Sequence, residues 1–153
     1  MPILLDRQLR EQIPHDAVTF PITFFSDELA SLPDWAGPLH WHPDFEIASA
    51  ECGVLDYQVG QQHIHLEPGD SIFVNGNMLH GIRQLSGDEP DPMPNIVFSG
   101  TLAAPETSVI YQKYILPVIG CGTLPFIVFR HDEPDHSDVL RLIGEIYTVF
   151  REQ

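Results

Sequence analysis

The sequence predicts a single, small, mainly β domain that is rich in hairpins and ends in helices. The 14 prolines and 11 glycines separate short apolar segments between about residues 18 and 100, and this spacing is typical of strands joined by tight turns. After residue 100 the apolar residues recur at helical spacing instead. With 43% apolar and 10% aromatic residues, a chain of 153 residues can fill one hydrophobic core.

The β segments are expected to follow one another between residues 18 and 100. A strand at 18–25 should lie at a sheet edge, because Pro21 has no amide hydrogen to donate to a central ladder. A tight turn is expected at 67–70, because Gly69 tolerates the positive φ that a type II turn needs. The other extended segments are expected at 40–52, 54–59, 62–66, 71–74, 79–85 and 95–99.

Two α-helices are predicted in the C-terminal third of the chain. The first covers residues 105–119 and should end or kink at Pro117, which lacks an amide donor. The second begins at Ser137, a suitable N-cap, and has eight apolar positions in the twelve residues from 139 to 150. No glycine, asparagine or proline ends this helix, so we expect the chain to be part of a longer protein.

The apolar surface of the second helix is wider than one packing face requires. A helix that packs against its own domain needs a single stripe, and eight apolar positions exceed it. Four of these residues recur at coiled-coil spacing and are expected to contact the same helix of a second copy in a two-fold homodimer. The predicted dimerisation residues are Leu140, Ile143, Tyr147 and Phe150.

The charge of the chain excludes several classes of function. There are 22 acidic and 7 basic side chains, which give a formal charge of −15, and no segment carries the basic stripe that displaces counterions from phosphate. No apolar run approaches the roughly 18 residues that span a bilayer, and the start of the chain lacks the positive flank of a signal peptide. We therefore expect a cytoplasmic protein that contacts neither nucleic acid nor a membrane through this chain.

The most informative window has the form HxHxxxE and contains His40, His42 and Glu46. On one strand the two histidines point to the same face, and the glutamate keeps that parity if no bulge intervenes. His80 follows a predicted turn, 34 residues after Glu46. Three imidazoles and a carboxylate form a mixed nitrogen and oxygen set that suits a divalent ion of zinc, nickel, iron or manganese.

The same side chains also suit a ligand site without metal, because neutral imidazoles and a carboxylate on an inward face can hydrogen-bond a small polar ligand. A second HxH pair, His63 and His65, has no further ligands and is expected to be exposed on a hairpin. The candidate ligand-binding residues are His40, His42, Glu46, Tyr57 and His80. The candidate metal ligands are His40, His42, Glu46 and His80.

These blocks resemble the paired motifs of the cupin superfamily, G-x5-HxH-x3,4-E-x6-G and G-x5-PxG-x2-H-x3-N. In the first block two residues rather than five separate Gly37 from His40. The second block keeps Gly69 and His80, and the residues that replace its proline, its last glycine and its final asparagine are Asn75, Asn77 and Gln84. The resemblance implies a small double-stranded β-helix barrel with its metal ligands at the motif positions.

The chain also resembles the N-terminal sensor domain of AraC-family transcriptional regulators. The segments that carry this resemblance are residues 20–21, 40–47, 66–80 and 111–117. The resemblance covers roughly residues 15 to 150. It implies a barrel that binds a small effector, such as a sugar or another metabolite, followed by dimerisation helices and a helix-turn-helix DNA-binding domain, which this chain lacks.

We therefore predict three parts: an N-terminal arm at 1–17, a cupin barrel at 18–100, and a helical dimerisation segment with two α-helices at 101–153. The predicted function is small-molecule sensing for transcriptional control by a homodimer, which contacts DNA only through the absent domain. The alternative is a free-standing metal-dependent cupin enzyme, such as an isomerase or a dioxygenase, whose metal is held by the same histidines and glutamate.

Overall fold

The computed structural model describes residues 3–13, 20–26 and 28–152, which form a mainly β domain. The end of the predicted arm and the start of the first predicted strand lie outside these residues. The strands are β1 (Ile22–Phe25), β2 (Ala36–His40), β3 (Phe45–Ser49), β4 (Val54–Val59), β5 (Gln62–Leu66), β6 (Ser71–Val74), β7 (His80–Ser86), β8 (Asn95–Phe98) and β9 (Phe126–Phe129). The helices are α1 (Glu28–Ser31) and α2 (Ser137–Arg151), with 3₁₀ turns at Pro33–Trp35, Gly100–Leu102 and Pro134–His136 and a π-helical turn at Tyr111–Ile115.

Two antiparallel sheets face each other across the core. One sheet has the strand order β1-β8-β3-β6-β9 and the other the order β2-β7-β4-β5. Alternate residues of each strand point inward, so that Ile72 and Val74 of the first sheet meet Leu55 and Leu66 of the second, all of them fully buried. The mainly β fold that the sequence predicts is therefore confirmed, and its interior is closed by side chains from both sheets.

Proline and glycine occupy the turns and the strand irregularity that their chemistry favours. The turn between β4 and β5 has Gly60 at φ 58°, and the turn before β6 has Gly69 at φ 95°, as the sequence predicts. Strand β2 is a sheet edge and contains Pro38. Its register with β7 shifts between Gly37 and His40, because proline cannot donate to the ladder.

Of the two predicted C-terminal helices, only α2 is an α-helix. In the segment 105–119 the chain instead makes a π-helical turn, in which Leu116 N donates to Tyr111 O at 2.8 Å. The apolar residues that predicted a helix do not find a core here, since Val109 is 77% and Tyr114 60% exposed. Without a buried face, and with Pro117 unable to donate, a longer α-helix is not stabilised. Among the described residues, no helix is both long and apolar enough to cross a membrane.

The chain returns to the sheet after this turn. The apolar run at 126–129 is β9, which pairs with β6 along its whole length. The connection that precedes it is held by the buried Asn75, whose Nδ2 donates to Val118 O at 2.7 Å and to Leu124 O at 2.9 Å. Asn75 stands where the cupin motif has proline, and the amide side chain has the donors that this connection requires.

Helix α2 packs on the outer face of the five-stranded sheet. Ile143 and Tyr147 are each 4% exposed and contact Ile22 and Ile96 of the strands beneath. Phe150 stacks on the ring of Phe24 with centroids 5.4 Å apart.

This packing corrects the predicted dimer stripe, which comprised Leu140, Ile143, Tyr147 and Phe150. Leu140 is half-buried, and the other three lie against their own sheet, so these three side chains are not available to a partner helix. The sheet presents an apolar outer face that the sequence does not reveal as a docking surface for the helix.

A buried carboxylate joins the C-terminal part of the chain to the barrel. Asp70, 1% exposed, accepts hydrogen bonds from Arg130 Nη1 at 2.7 Å and from His131 N at 2.9 Å and Nδ1 at 2.8 Å. Burial raises the pKa of Asp70, but these hydrogen bonds outweigh burial and lower it below 3.8. The hydrogen bond to Asp70 raises the pKa of His131 above 6.5.

We predict that Asp70→Asn lowers the free energy of unfolding by about 2 kcal/mol at pH 6, because charge-assisted hydrogen bonds are lost. The Asp70 contribution is present above pH 3.8 and is lost as the pH falls below it. The His131 contribution is present below pH 6.5 and is lost as the pH rises through the raised pKa. Urea unfolding between pH 5 and 9 should therefore show the difference between the two proteins shrinking above about pH 7. Parallel pH profiles would contradict this role of Asp70.

Candidate ligand and metal site

The polar side chains inside the barrel come from both sheets. Strand β2 ends at His40 and β7 begins at His80, whereas Glu46 lies on β3 and Tyr57 on β4. His42 lies in the connection at 41–44, where the chain passes from the four-stranded to the five-stranded sheet. The structure thus brings together all five residues that the sequence predicts for a ligand site.

The expectation that the HxHxxxE window lies on one strand is wrong. The chain bends at Pro43 and Asp44, and His42 O accepts a hydrogen bond from Asn77 N at 2.7 Å. The three side chains still reach the same interior, because the bend carries Glu46 to the facing sheet instead of leaving it further along β2. This crossing arranges the side chains around one point, whereas a single strand would place them in a row.

The cluster is closed to solvent. The exposed fraction of the residue is 1% for both His42 and His80, 2% for Tyr57, 5% for Glu46 and 8% for His40. Polar groups buried to this degree need hydrogen-bond partners or a bound ion.

Each of the three histidines is oriented by a backbone carbonyl. Nδ1 of His40 lies 2.9 Å from Pro38 O, Nδ1 of His42 3.0 Å from Asp44 O, and Nδ1 of His80 2.8 Å from Met78 O. A carbonyl oxygen only accepts, so Nδ1 carries the hydrogen in every case. In the neutral ring Nε2 then presents a lone pair to the interior.

The inward atoms converge on the carboxylate of Glu46. Its Oε2 lies 3.2 Å from Nε2 of His42 and 3.1 Å from Nε2 of His80. The hydroxyl of Tyr57 donates to Oε1 of the same carboxylate. This hydrogen bond from the hydroxyl of Tyr57 therefore positions the carboxylate of Glu46 in the interior.

The electrostatics of the cluster keep the carboxylate charged. Burial raises the pKa of Glu46, but His80 and His42 outweigh burial and hold the pKa well below its usual range. Burial and the neighbouring Glu46 raise the pKa of Tyr57, which remains a phenol. Burial, reinforced by His80, lowers the pKa of His40 to about 4, so its ring is neutral at pH 7.

This donor set fits a divalent transition metal. Ligand atoms of His40, His42, Glu46 and His80 all lie within 4.8 Å of one another. Metal–ligand bonds of about 2.1 Å place adjacent ligand atoms about 3.0 Å apart in an octahedron and about 3.4 Å apart in a tetrahedron. The two Nε2–Oε2 distances of 3.2 and 3.1 Å lie in this range. Imidazoles that donate Nδ1–H to a carbonyl and present Nε2 are typical of metal ligands.

The interior has little space beyond such an ion. The cavity beside the cluster measures about 30 Å³ and is lined by Glu46, Tyr57 and His80 together with Ile3 and Glu11 of the N-terminal segment. A cavity of this size admits one or two water molecules, not a sugar. A larger, open and mainly apolar pocket of about 630 Å³ lies at the mouth of the barrel. Ile3, Leu32 and Gly37 line both cavities.

Glu11 is the site residue that the sequence does not predict. Its Oε2 lies 3.3 Å from Nε2 of His40, although it belongs to a segment with no recognisable motif. No spacing signal connects the two residues, which are brought together only by the folding of residues 3–13 over the barrel. His63 and His65 are exposed, as expected, and contact Asp56 on the outer face.

Comparison with known proteins decides the family. A sequence model of the AraC-like ligand binding domain matches residues 28–149. The chain belongs to the AraC-like ligand-binding domain family. The resemblance that the motifs predict is therefore confirmed. Because AraC-like domains of this kind are regulatory ligand-binding domains, the chain is not a metal-dependent cupin enzyme.

One relative and one solved structure of similar fold extend across most of this AraC-like domain. YdeC, an uncharacterized HTH-type transcriptional regulator of Bacillus subtilis (strain 168), is 21% identical over 155 residues, which include 98% of this chain and 50% of YdeC. Apo ToxT from Vibrio cholerae strain SCE256 has a similar fold, with a TM-score of 0.51 and 10% identity over 89% of this chain and 49% of ToxT. The chain thus spans about half the length of YdeC and of ToxT.

KdgF from Halomonas sp. is a further solved structure with partial similarity. Its TM-score is 0.41 and its identity 16%, over 54% of this chain and 73% of KdgF.

We predict that Tyr57→Phe lowers the free energy of unfolding by about 1–3 kcal/mol, because Glu46 loses a buried donor. Urea denaturation at pH 7 measures this change. The control is Tyr114→Phe, which removes a hydroxyl from a residue that is 60% exposed and should change stability by less than about 0.5 kcal/mol. Equal stability of the two variants would contradict the role assigned to Tyr57.

Proposed function

We propose that this chain is the effector-sensing part of a longer transcriptional regulator. The AraC-like family assignment and the helix-turn-helix regulator among its relatives support this function. A formal charge of −15 makes the chain itself unsuited to DNA, so contact with DNA belongs to another part of the regulator. Such a protein acts in the cytoplasm, where its target DNA is.

We propose further that His40, His42, Glu46 and His80 hold a divalent transition metal. The observation that carries this proposal is the hydrogen bonding of the three rings, since each Nδ1 donates to a carbonyl and each Nε2 points toward the interior. In their neutral state these rings offer only acceptors to the acceptor Glu46, and a cation satisfies all of them at once. When bound, a metal of this kind supplies positive charge and a coordination position for an oxygen or nitrogen atom of an effector.

The small-molecule effector is expected at the mouth of the barrel. The apolar pocket there has the size of a metabolite site, and Leu32, Pro33 and Ala36 give it a nonpolar wall. An effector with an apolar body and one polar group fits this wall and the polar cluster beneath it better than a sugar, which presents hydroxyl groups on all sides.

Purified protein is expected to contain close to one equivalent of a transition metal by plasma mass spectrometry. The double variant His42→Ala, His80→Ala should lose it, because two of the four ligands are removed. The control is His63→Ala, His65→Ala, which removes an exposed HxH pair outside the cluster and should keep the metal. Metal-free wild-type protein that takes up neither Zn²⁺, Ni²⁺, Mn²⁺ nor Fe²⁺ on titration would contradict the metal site.

We also propose that the regulator dimerises through the outer face of α2. Three apolar residues at helical spacing remain exposed there, Leu142 at 49%, Ile146 at 38% and Val149 at 57%. Arg141 and Glu145 are exposed on the same helix and pair with each other at 2.6 Å. The proposed dimer face is thus adjacent to the stripe that packs on the barrel.

Ile146→Glu should weaken the dimer at least about 10-fold, because a charge at the centre of an apolar interface costs more than about 1.4 kcal/mol. Sedimentation velocity over a concentration series measures the change. Val109→Glu is the matched control, since Val109 is 77% exposed on a different surface. Wild-type protein that is monomeric at every concentration, or a dimer unaffected by Ile146→Glu, would contradict this interface.

A further inference from the structure

The two cavities of the barrel meet beside Gly37. Together with Ile3 and Leu32, this residue lines both the open apolar pocket of about 630 Å³ and the cavity of about 30 Å³ next to the polar cluster. We call the passage between these three residues the neck. An effector bound in the apolar pocket reaches the polar cluster through the neck.

The neck is open because residue 37 has no side chain. A Cβ at Gly37 would lie 3.0 Å from Cγ2 of Ile82, 3.8 Å from Cδ1 of Leu32 and 3.9 Å from Cδ1 of Ile3. All three side chains line the small cavity, so this Cβ would occupy the space where the cavities meet. The φ of Gly37 is not positive, so the backbone does not require glycine here. Alanine fits at this position if the end of the Ile82 side chain moves by a few tenths of an ångström.

The small cavity limits the size of the group that an effector can insert. Its volume of about 30 Å³ corresponds to one or two water molecules. A hydroxyl or amino group at the end of a chain fits this space, whereas a carboxylate or a phosphate group is too large. A group carried on a branched carbon would bring its substituents against Ile3 and Leu32 in the neck.

The charges around the cavities disfavour an anionic effector. Among the described residues, neither cavity is lined by a lysine or an arginine, and Glu11 and Glu46 both line the smaller one. Without a metal ion the two carboxylates repel an anion, and with a divalent ion bound they offset its charge. Arg83 cannot pair with an effector in the interior, because its side chain is 60% exposed and lies 3.6 Å from Asp56 on the outer face.

We propose that the effector is an apolar compound that ends in an unbranched hydroxyl or amino group, and that this group passes the neck beside Gly37 and donates a hydrogen bond inside the polar cluster. The inference rests on the effector pocket proposed above and narrows the class of its ligand. The interior has the matching acceptors, since the neutral histidine rings present Nε2 lone pairs and Glu46 presents a charged carboxylate. Gly37 thereby determines specificity, and Leu32 sets the width of the neck.

The test compares three probes with the same number of carbon atoms: hexan-1-ol, hexan-3-ol and hexanoate. Their Kd values are measured by NMR from the amide shifts of residues 31–38 in ¹⁵N-labelled protein. The titrations are made on metal-stripped protein and repeated with Zn²⁺ present, so that the outcome does not depend on the proposed metal site.

Three variants examine the neck. Gly37→Ala fills it, and Leu32→Ala widens it. Gly122→Ala is the matched control, because a Cβ at Gly122 has none of the described residues beyond its chain neighbours within 4 Å. Leu32→Ala also keeps the proposal testable if Gly37→Ala does not fold.

Wild-type protein is expected to bind hexan-1-ol at least about 10-fold more tightly than either hexan-3-ol, whose hydroxyl stays outside the cluster, or hexanoate. Gly37→Ala should abolish the preference between the two alcohols by weakening hexan-1-ol alone. Leu32→Ala should reduce the preference by strengthening hexan-3-ol, and Gly122→Ala should leave it unchanged.

Equal Kd values for the two alcohols, or binding of hexanoate as tight as that of hexan-1-ol, would overturn the terminal hydroxyl or amino group while leaving the effector pocket intact. A preference that persists in both Gly37→Ala and Leu32→Ala would overturn the role of the neck. The absence of any shift in residues 31–38 with all three probes would overturn the effector pocket and this inference together.

Discussion

The carboxylate of Glu46 is the constraint on which the interior of this domain depends. A buried charge costs several kcal/mol unless it is paired and hydrogen-bonded. Glu46 accepts a hydrogen bond from Tyr57 of β4, and its Oε2 faces Nε2 of His80 from β7 and Nε2 of His42 from the connection between the sheets, where the proposed cation would balance its charge. Glu46 itself lies on the five-stranded sheet, whereas Tyr57 and His80 lie on the four-stranded sheet, so the cluster ties the two sheets together around one group. Moving one sheet relative to the other separates the carboxylate from these partners. The cluster therefore favours one relative position of the two sheets.

The same constraint determines what the interior can bind. Because the histidines use Nδ1 for backbone carbonyls, their rings cannot turn to present a donor, and the centre of the cluster is an acceptor-rich site for a cation. The remaining cavity of about 30 Å³ leaves a metabolite no room beside the cluster. The proposed ion site and the proposed effector pocket therefore lie in different places, one in the interior and the other at the mouth. The N-terminal segment lies between them and contacts both through Ile3.

The sequence predicts those features that depend on local chemistry. Gly60 and Gly69 mark turns because their φ values are positive, and the HxHxxxE spacing with His80 predicts side chains that the structure brings together. The sequence does not predict the change of sheet at Pro43 and Asp44, because alternation along one strand leads to the same choice of residues. It also cannot show which side of α2 is covered, since both stripes are apolar and only the shape of the sheet decides between Ile143 and Ile146. The approach of Glu11 to His40 depends on a long-range docking that leaves no pattern in the chain.

The most direct test of a cation site inside the barrel is a crystal structure of the metal-loaded protein with anomalous data collected at the absorption edge of the metal. The account predicts one strong anomalous peak, bonded to Nε2 of His40, His42 and His80 and to the carboxylate of Glu46, with each Nδ1 still directed at its backbone carbonyl. A peak bonded only to exposed groups such as His63 and Asp56, with the interior cluster unchanged, would contradict it.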